Sequence, residues 1–141
     1  GDLAMSRALG DFQYKAKSLP PERQAVTCDP EVVEHQLTEE DEFLVLASDG
    51  IWDCLTSQQV IDAVRLLVSR RKALSEICED LCDLCLAPCV SVEDPVGCDN
   101  LTIIVVALLN GRTVDEWYCW ITDRVKGKYG YSTPDCLHQV H

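Results

Sequence analysis

Two aspartates stand at the ends of two apolar runs in the 141-residue sequence. Asp49 follows Phe43–Ala47 (FLVLA), and Asp99 precedes Leu101–Leu109 (LTIIVVALL). Both runs read as strands; the second is β-branched and uniformly apolar, so it is expected to be buried on both faces. If the two strands are antiparallel neighbours, the end of one lies beside the start of the other, ~4.8 Å away. Two carboxylates placed that way can share one hard cation, because Mg²⁺ or Mn²⁺ takes oxygen ligands at about 2 Å. Without a cation they would repel, and one would tend to stay protonated. Gly50 and Gly97 would let the backbones approach closely. Asp-Gly is also a common turn dipeptide, so Asp49-Gly50 taken alone reads as a turn.

A second constellation is made of thiols. Cys78, Cys82, Cys85 and Cys89 follow the spacing C-x3-C-x2-C-x3-C. The first three match a pattern that holds an iron–sulfur cluster in radical enzymes, and four thiolates could bind zinc. On a helix, offsets of 4, 7 and 11 put all four on one face, where consecutive turns cannot wrap one ion tetrahedrally. With Leu74, Leu81 and Leu84 beside them, they are expected to form a core stripe of small hydrophobes. Cys54 and Cys98, near the two aspartates, read as packing residues or as oxidation-sensitive neighbours of the site. His35, His138 and His141 are isolated and are not expected to bind metal.

The elements that must position these residues follow from local signals. Glu31–Leu37 (EVVEHQL) is rich in β-branched residues after Pro30 and predicts a strand. Thr56 with Gln59 forms a capping box that opens a helix to about Arg71, with Val60, Ile61, Val64, Leu67 and Val68 at helical spacing. A second helix is predicted from about Leu74 to Leu86, ending before Pro88. Thr113 with Glu116 opens a third, carrying Val114, Trp117, Ile121 and Val125 on one face. Residues 126–141 read as an irregular tail.

Composition narrows the partners. There are 24 acids against 12 Lys and Arg, a net charge of −12, so a phosphate backbone would be repelled and nucleic acid is not an expected partner. No apolar run approaches the ~18–20 residues of a bilayer span, so no membrane partner is expected. Ten acids between Arg23 and Arg65 and seven between Lys72 and Arg112 have no Lys or Arg among them. These 17 are expected to be solvated surface, apart from the few that a metal could hold. Nine cysteines and no visible secretory signal suggest a reduced, cytoplasmic or nuclear setting.

Three segments, in order, resemble the C-terminal half of the metal-dependent protein phosphatases of type 2C. They are Gly1–Tyr14 (GDLAMSRALGDFQY), Leu44–Leu55 (LVLASDGIWDCL) and Gly97–Val106 (GCDNLTIIVV). The resemblance implies an α+β fold, part of an α/β/β/α sandwich of two antiparallel sheets flanked by helices. It assigns residues 1–125 to that catalytic domain. It implies two or more Mg²⁺ or Mn²⁺ ions bridging a water that attacks a phosphoserine or phosphothreonine in a phosphoprotein substrate. Asp49 and Asp99 fall on the family's metal-binding aspartates. Gly50, Asn100 and Asp53 are expected to support them rather than to ligate. Ser6, Arg7 and Asp11 lie in the family's Ser-Arg-Ala-x-Gly-Asp segment, where Arg7 is expected to pair with a carboxylate.

The family's N-terminal half supplies a Glu-Asp pair, an Asp-Gly-His-Gly-Gly loop and an arginine that grips phosphate. No Asp-Gly-His and no segment matching that Glu-Asp pair occurs in the 141 residues. The sequence is therefore expected to be the second half of a larger domain, holding at most half of one metal's ligands and inactive alone. The other class of reading is a non-catalytic, phosphatase-like binding or regulatory module. Self-association through exposed apolar strands is a further expectation.

Overall fold

A computed structural model describes residues 3, 5–88 and 96–140. The chain divides into two compact units, Gly1–Leu37 and Thr38–His141. Each is described by itself.

The first unit is built mainly from turns. Gly10 (φ 79°) and Asp11 (φ 48°) adopt left-handed backbone, a conformation cheap for glycine and tolerated by aspartate. Short 3₁₀ turns follow at Phe12–Tyr14 and Pro21–Arg23. The Gln24 side chain holds the loop between them, accepting from Ala16 N and donating to Ala16 O and Leu19 O. Thr27 N donates to Ser6 O and Ala8 N donates to Thr27 O, both at 2.9 Å, forming a single parallel bridge about Arg7. Glu31–Leu37 is not a strand, contrary to the expectation from its composition. Val32 and Val33 are exposed. Propensity alone does not make a strand; the segment has no ladder partner among the described residues.

The second unit is α+β. Strands β1 (Phe43–Ala47) and β2 (Ile103–Ala107) pair antiparallel, with Phe43 opposite Ala107 and Ala47 opposite Ile103. Four helices accompany them: α1 (Asp49–Trp52), α2 (Ser57–Ser69), α3 (Leu74–Cys85) and α4 (Val114–Lys126). Helix α3 packs on β2, α2 packs on both α3 and α4, and α1 sits between β1 and α3. None of the described helices is long and apolar enough to cross a membrane.

Both expected capping boxes are formed. Thr56 Oγ1 accepts from Gln59 N, and Gln59 Oε1 accepts from Thr56 N at 2.8 Å. Thr113 and Glu116 repeat the exchange at the start of α4. Each box satisfies two of the amides that a helix N-terminus leaves open. The backbone and side-chain hydrogen bonds from Thr113 hold the Glu116 carboxyl below its usual range.

The strands are not buried on both faces. Phe43, Val45, Ala47, Ile103, Val105 and Ala107 turn toward the helices and join the core, which is centred on Ile51, Val60, Val64, Ile77, Leu81, Trp117 and Ile121. Leu44, Leu46, Ile104 and Val106 lie on the opposite, exposed face. A two-stranded sheet with helices on one side alternates in burial whatever its composition. A uniformly apolar run cannot reveal which of its faces lacks a covering layer. The Cys78–Cys82–Cys85 stripe does join the core: Cys85 is fully buried and the other two pack against it. Cys89 lies outside the described residues.

Glu42, at the foot of β1, holds the unit's buried ionic cluster. Its carboxylate meets Arg65 Nε at 2.9 Å and Arg124 Nε at 2.6 Å. Arg65, only 5% exposed, also donates to the carbonyls of Tyr129 (3.0 Å) and Tyr131 (3.1 Å). Arg124 reaches Glu40 at 2.7 Å. The carboxylates raise the Arg124 pKa against the opposing effect of burial. The Glu42 main-chain carbonyl accepts from Trp117 Nε1 at 2.8 Å. The tail is therefore irregular but clasped: its backbone supplies acceptors for a buried guanidinium. Removing one partner of a buried pair strands the others' charge, at a typical cost of about 3 kcal/mol or more. Glu42→Gln is expected to lower stability by that order, read from the urea midpoint at unchanged slope. An unchanged midpoint would mean that the cluster contributes nothing.

Candidate metal centre

The register carries the two aspartates to one end of the sheet. β1 ends at Ala47 and β2 begins opposite it at Ile103. Ser48 extends the ladder by one more step. Its N–H donates to Thr102 O at 3.0 Å. Its hydroxyl accepts from Thr102 N and donates to Asn100 O, each at 3.1 Å. One side chain thus locks the exit of β1 to the entry of β2. Asp49 follows it directly, as the first residue of α1, and Asp99 directly precedes Asn100.

Ser48 sits at the N-cap of α1 but makes no cap hydrogen bond to it. The hydroxyl that would usually cap the helix is spent across the strands. The sequence signals above give Ser48 no role. The available signal was a hydroxyl residue placed between a strand and the first acidic residue.

Gly50 is the contact point of the two loops. A Cβ on Gly50 would stand 2.5 Å from Asn100 O and 3.0 Å from Leu101 Cδ2. No side chain fits at that approach, which is a packing requirement rather than one of backbone angle. Gly97 is buried with φ 79°, and its carbonyl accepts from Ala87 N at 2.9 Å. The main chain of Asn100, rather than its side chain, makes the supporting contacts: its N–H donates to Asp99 Oδ1 at 2.7 Å. Gly50 N donates to Asp49 Oδ1 at 3.1 Å. Each carboxylate is thereby oriented by its neighbour's amide. Trp52 Nε1 donates to Ala47 O at 2.9 Å, pinning α1 back onto the strand.

Gly50, Asp53, Val96, Gly97, Cys98 and Asp99 line a cavity of about 350 Å³. Asp49 and Asp99 are both exposed at this end of the molecule. Their carboxylates suit a hard divalent cation in kind. They do not suffice in number, because such a cation takes six or more oxygens. Among the described residues no group of three or more His, Cys, Asp or Glu stands close enough to hold a metal ion. The other singled-out residues lie apart in sequence: Arg7 pairs with Glu31 at 3.3 Å, and both side chains are exposed, while Asp11 forms the left-handed turn before Phe12–Tyr14.

The second unit thus belongs to the α+β class, with Asp49 and Asp99 at one end of its antiparallel pair. Comparison with known sequences gives the class its name. Residues 1–92 match the family described as Protein phosphatase 2C, and the chain belongs to that family. It is 53% identical over 135 residues to "Protein phosphatase 2C homolog 2" of Schizosaccharomyces pombe, covering 95% of this chain and 36% of that protein. It is 49% identical over 135 residues to "Protein phosphatase 2C homolog 2" of Aspergillus fumigatus, covering 95% and 31%. "Protein phosphatase 2C homolog 3" of Schizosaccharomyces pombe is 48% identical over 141 residues, covering 100% and 34%. The chain spans about a third of the length of these curated relatives.

Gly50→Ala tests the geometry. The added methyl must displace a backbone carbonyl, and overpacking of this kind costs about 1–3 kcal/mol. A lowered melting temperature is expected, with amide chemical-shift changes confined to 48–53 and 96–102. A variant as stable as the parent, with unshifted amides, would show that the two loops do not meet there.

Proposed function

We propose that the 141 residues form the C-terminal part of the catalytic domain of a metal-dependent protein serine/threonine phosphatase. In this reading Asp49 and Asp99 are ligands of Mg²⁺ or Mn²⁺. The observation that carries it is the register of β1 on β2, closed by Ser48, which delivers both carboxylates to one end of the sheet. Ions held there would lower the pKa of a water and neutralise phosphate oxygens. The chain's own contribution is positional. Ser48 and Gly50 fix the separation of the two loops, and the amides of Gly50 and Asn100 orient the carboxylates. The net charge of −12 disfavours an anionic substrate unless cations offset it. Substrates are phosphoproteins carrying phosphoserine or phosphothreonine.

Two carboxylates leave most of a cation's coordination sphere to other groups, so the 141 residues alone are inactive in this reading. With Mn²⁺ they should hydrolyse a phosphothreonine peptide no faster than a blank. Fused to the remaining length of the 53%-identical Schizosaccharomyces pombe relative, they should gain Mn²⁺-dependent hydrolysis. Asp49→Asn or Asp99→Asn in that fusion should each cut the rate by about 100-fold or more, at least as much as loss of an outer-shell partner. Activity of the 141 residues alone, or a fusion indifferent to both substitutions, would contradict the proposal.

A further inference from the structure

Cys54 and Cys85 are 31 residues apart in sequence and meet in the fold. Cys54 follows α1, one residue after Asp53, which lines the acidic cavity. Cys85 is the last residue of α3. The Cys54 thiol donates to the Cys85 carbonyl oxygen at 3.6 Å. Both are thiols. Cys78 and Cys82 neighbour Cys85 only along α3 itself. Residues three or four apart on a helix have Cβ atoms about 5–6 Å apart, whereas a disulfide needs roughly 3.5–4.5 Å. A bridge within the stripe would have to unwind the helix, whereas Cys54 reaches the end of α3 from a separate segment.

Neither thiol lines the cavity, but each is joined through the main chain to one of its walls. On one side Cys54 continues the loop that carries Asp49, Gly50 and Asp53. On the other, the chain leaving Cys85 is tied by Ala87 N to Gly97 O at 2.9 Å, in the loop that carries Cys98 and Asp99. We infer that Cys54 and Cys85 are a redox pair, closed to a disulfide by a peroxide, and that this bond fastens the two walls of the acidic cavity together. The inference rests on the meeting of α1 and α3 and is independent of what the cavity binds.

The chemistry balances with a peroxide as oxidant. Cys54 is half-buried and is the thiol the peroxide reaches; Cys85 is fully buried. Burial, and then the Cys54 thiol beside it, push Cys85 up to about 12, so it enters second. The Cys54 sulfur attacks a peroxide oxygen. The S–O bond forms, the O–O bond breaks, and the departing oxygen takes the thiol proton to leave as water. The Cys85 sulfur then attacks the sulfenic sulfur, the S–O bond breaks, and the hydroxyl leaves with the Cys85 proton as a second water. Two thiols lose two electrons and hydrogen peroxide becomes two waters.

The test exposes the 141-residue chain to hydrogen peroxide, alkylates it with iodoacetamide in denaturant and maps it by mass spectrometry without reduction. The expected result is a cross-linked peptide pair joining Cys54 to Cys85, two hydrogens lighter than the separate peptides. Both residues should be lost from the alkylated pool and recovered with dithiothreitol. Cys54→Ser should leave Cys85 fully alkylated after the same exposure. In the oxidised chain, amide hydrogen exchange should slow at 49–53 and 96–99 together. A chain in which Cys85 stays alkylated, or in which Cys54 pairs with Cys98 instead, would overturn the pairing. A Cys54–Cys85 bond that leaves exchange at both loops unchanged would overturn the fastening of the walls. The unsubstituted chain reports on both points even if the variant fails to fold.

Discussion

The Ser48 hydroxyl makes the contact on which the acidic centre depends. It accepts from Thr102 N and donates to Asn100 O, so it satisfies main-chain groups on both sides of the point where β2 begins. Without it, the exit of β1 and the approach to β2 would keep only the Ser48 N–H bond to Thr102 O and the Gly50 approach. That approach is a clearance rather than an attraction: Gly50 permits closeness, and Ser48 enforces it. Everything chemical at this end of the unit follows from the pair.

The other end of β1 is held by a different kind of force. Glu42 is shared by Arg65 and Arg124 in a partly dry pocket, and its carbonyl takes the Trp117 indole. Hydrogen bonds at one end and charge at the other fix a short strand, which is marginal on its own. The same Arg65 draws the carbonyls of Tyr129 and Tyr131 onto α2. Helix α4 and the tail are therefore part of the apparatus that aims β1, although they are far from Asp49 in sequence.

Local signals in the sequence served well where the physics was local. The capping boxes of Thr56 and Thr113 marked two helix starts, because the partners are three residues apart. The cysteine spacing on α3 reported a buried stripe because helical period alone decides which residues share a face. The same reasoning failed at Glu31–Leu37, where a strand needs a partner that composition does not reveal. It failed again over the burial of β2, whose second face is exposed. The acid-rich windows hid the Glu40 and Glu42 pairs, because their arginines lie outside those windows, at 65 and 124. At the candidate centre, the placement of Asp49 and Asp99 at one end of the sheet was legible from their positions at strand ends. Ser48 was not, because its role is a hydrogen bond across 52 residues of sequence.

In the proposed site Asp49 and Asp99 face one cation rather than forming two separate patches of acidic surface. Mn²⁺ titrated into the ¹⁵N-labelled chain, followed by paramagnetic broadening of its amide signals, tests this even when binding is weak. Amides around 49–50 and 99–100 are expected to broaden together, at the same Mn²⁺ concentration and before those of the remaining acidic surface. Broadening at one of the two loops alone, or spread evenly over the acidic residues, would contradict it.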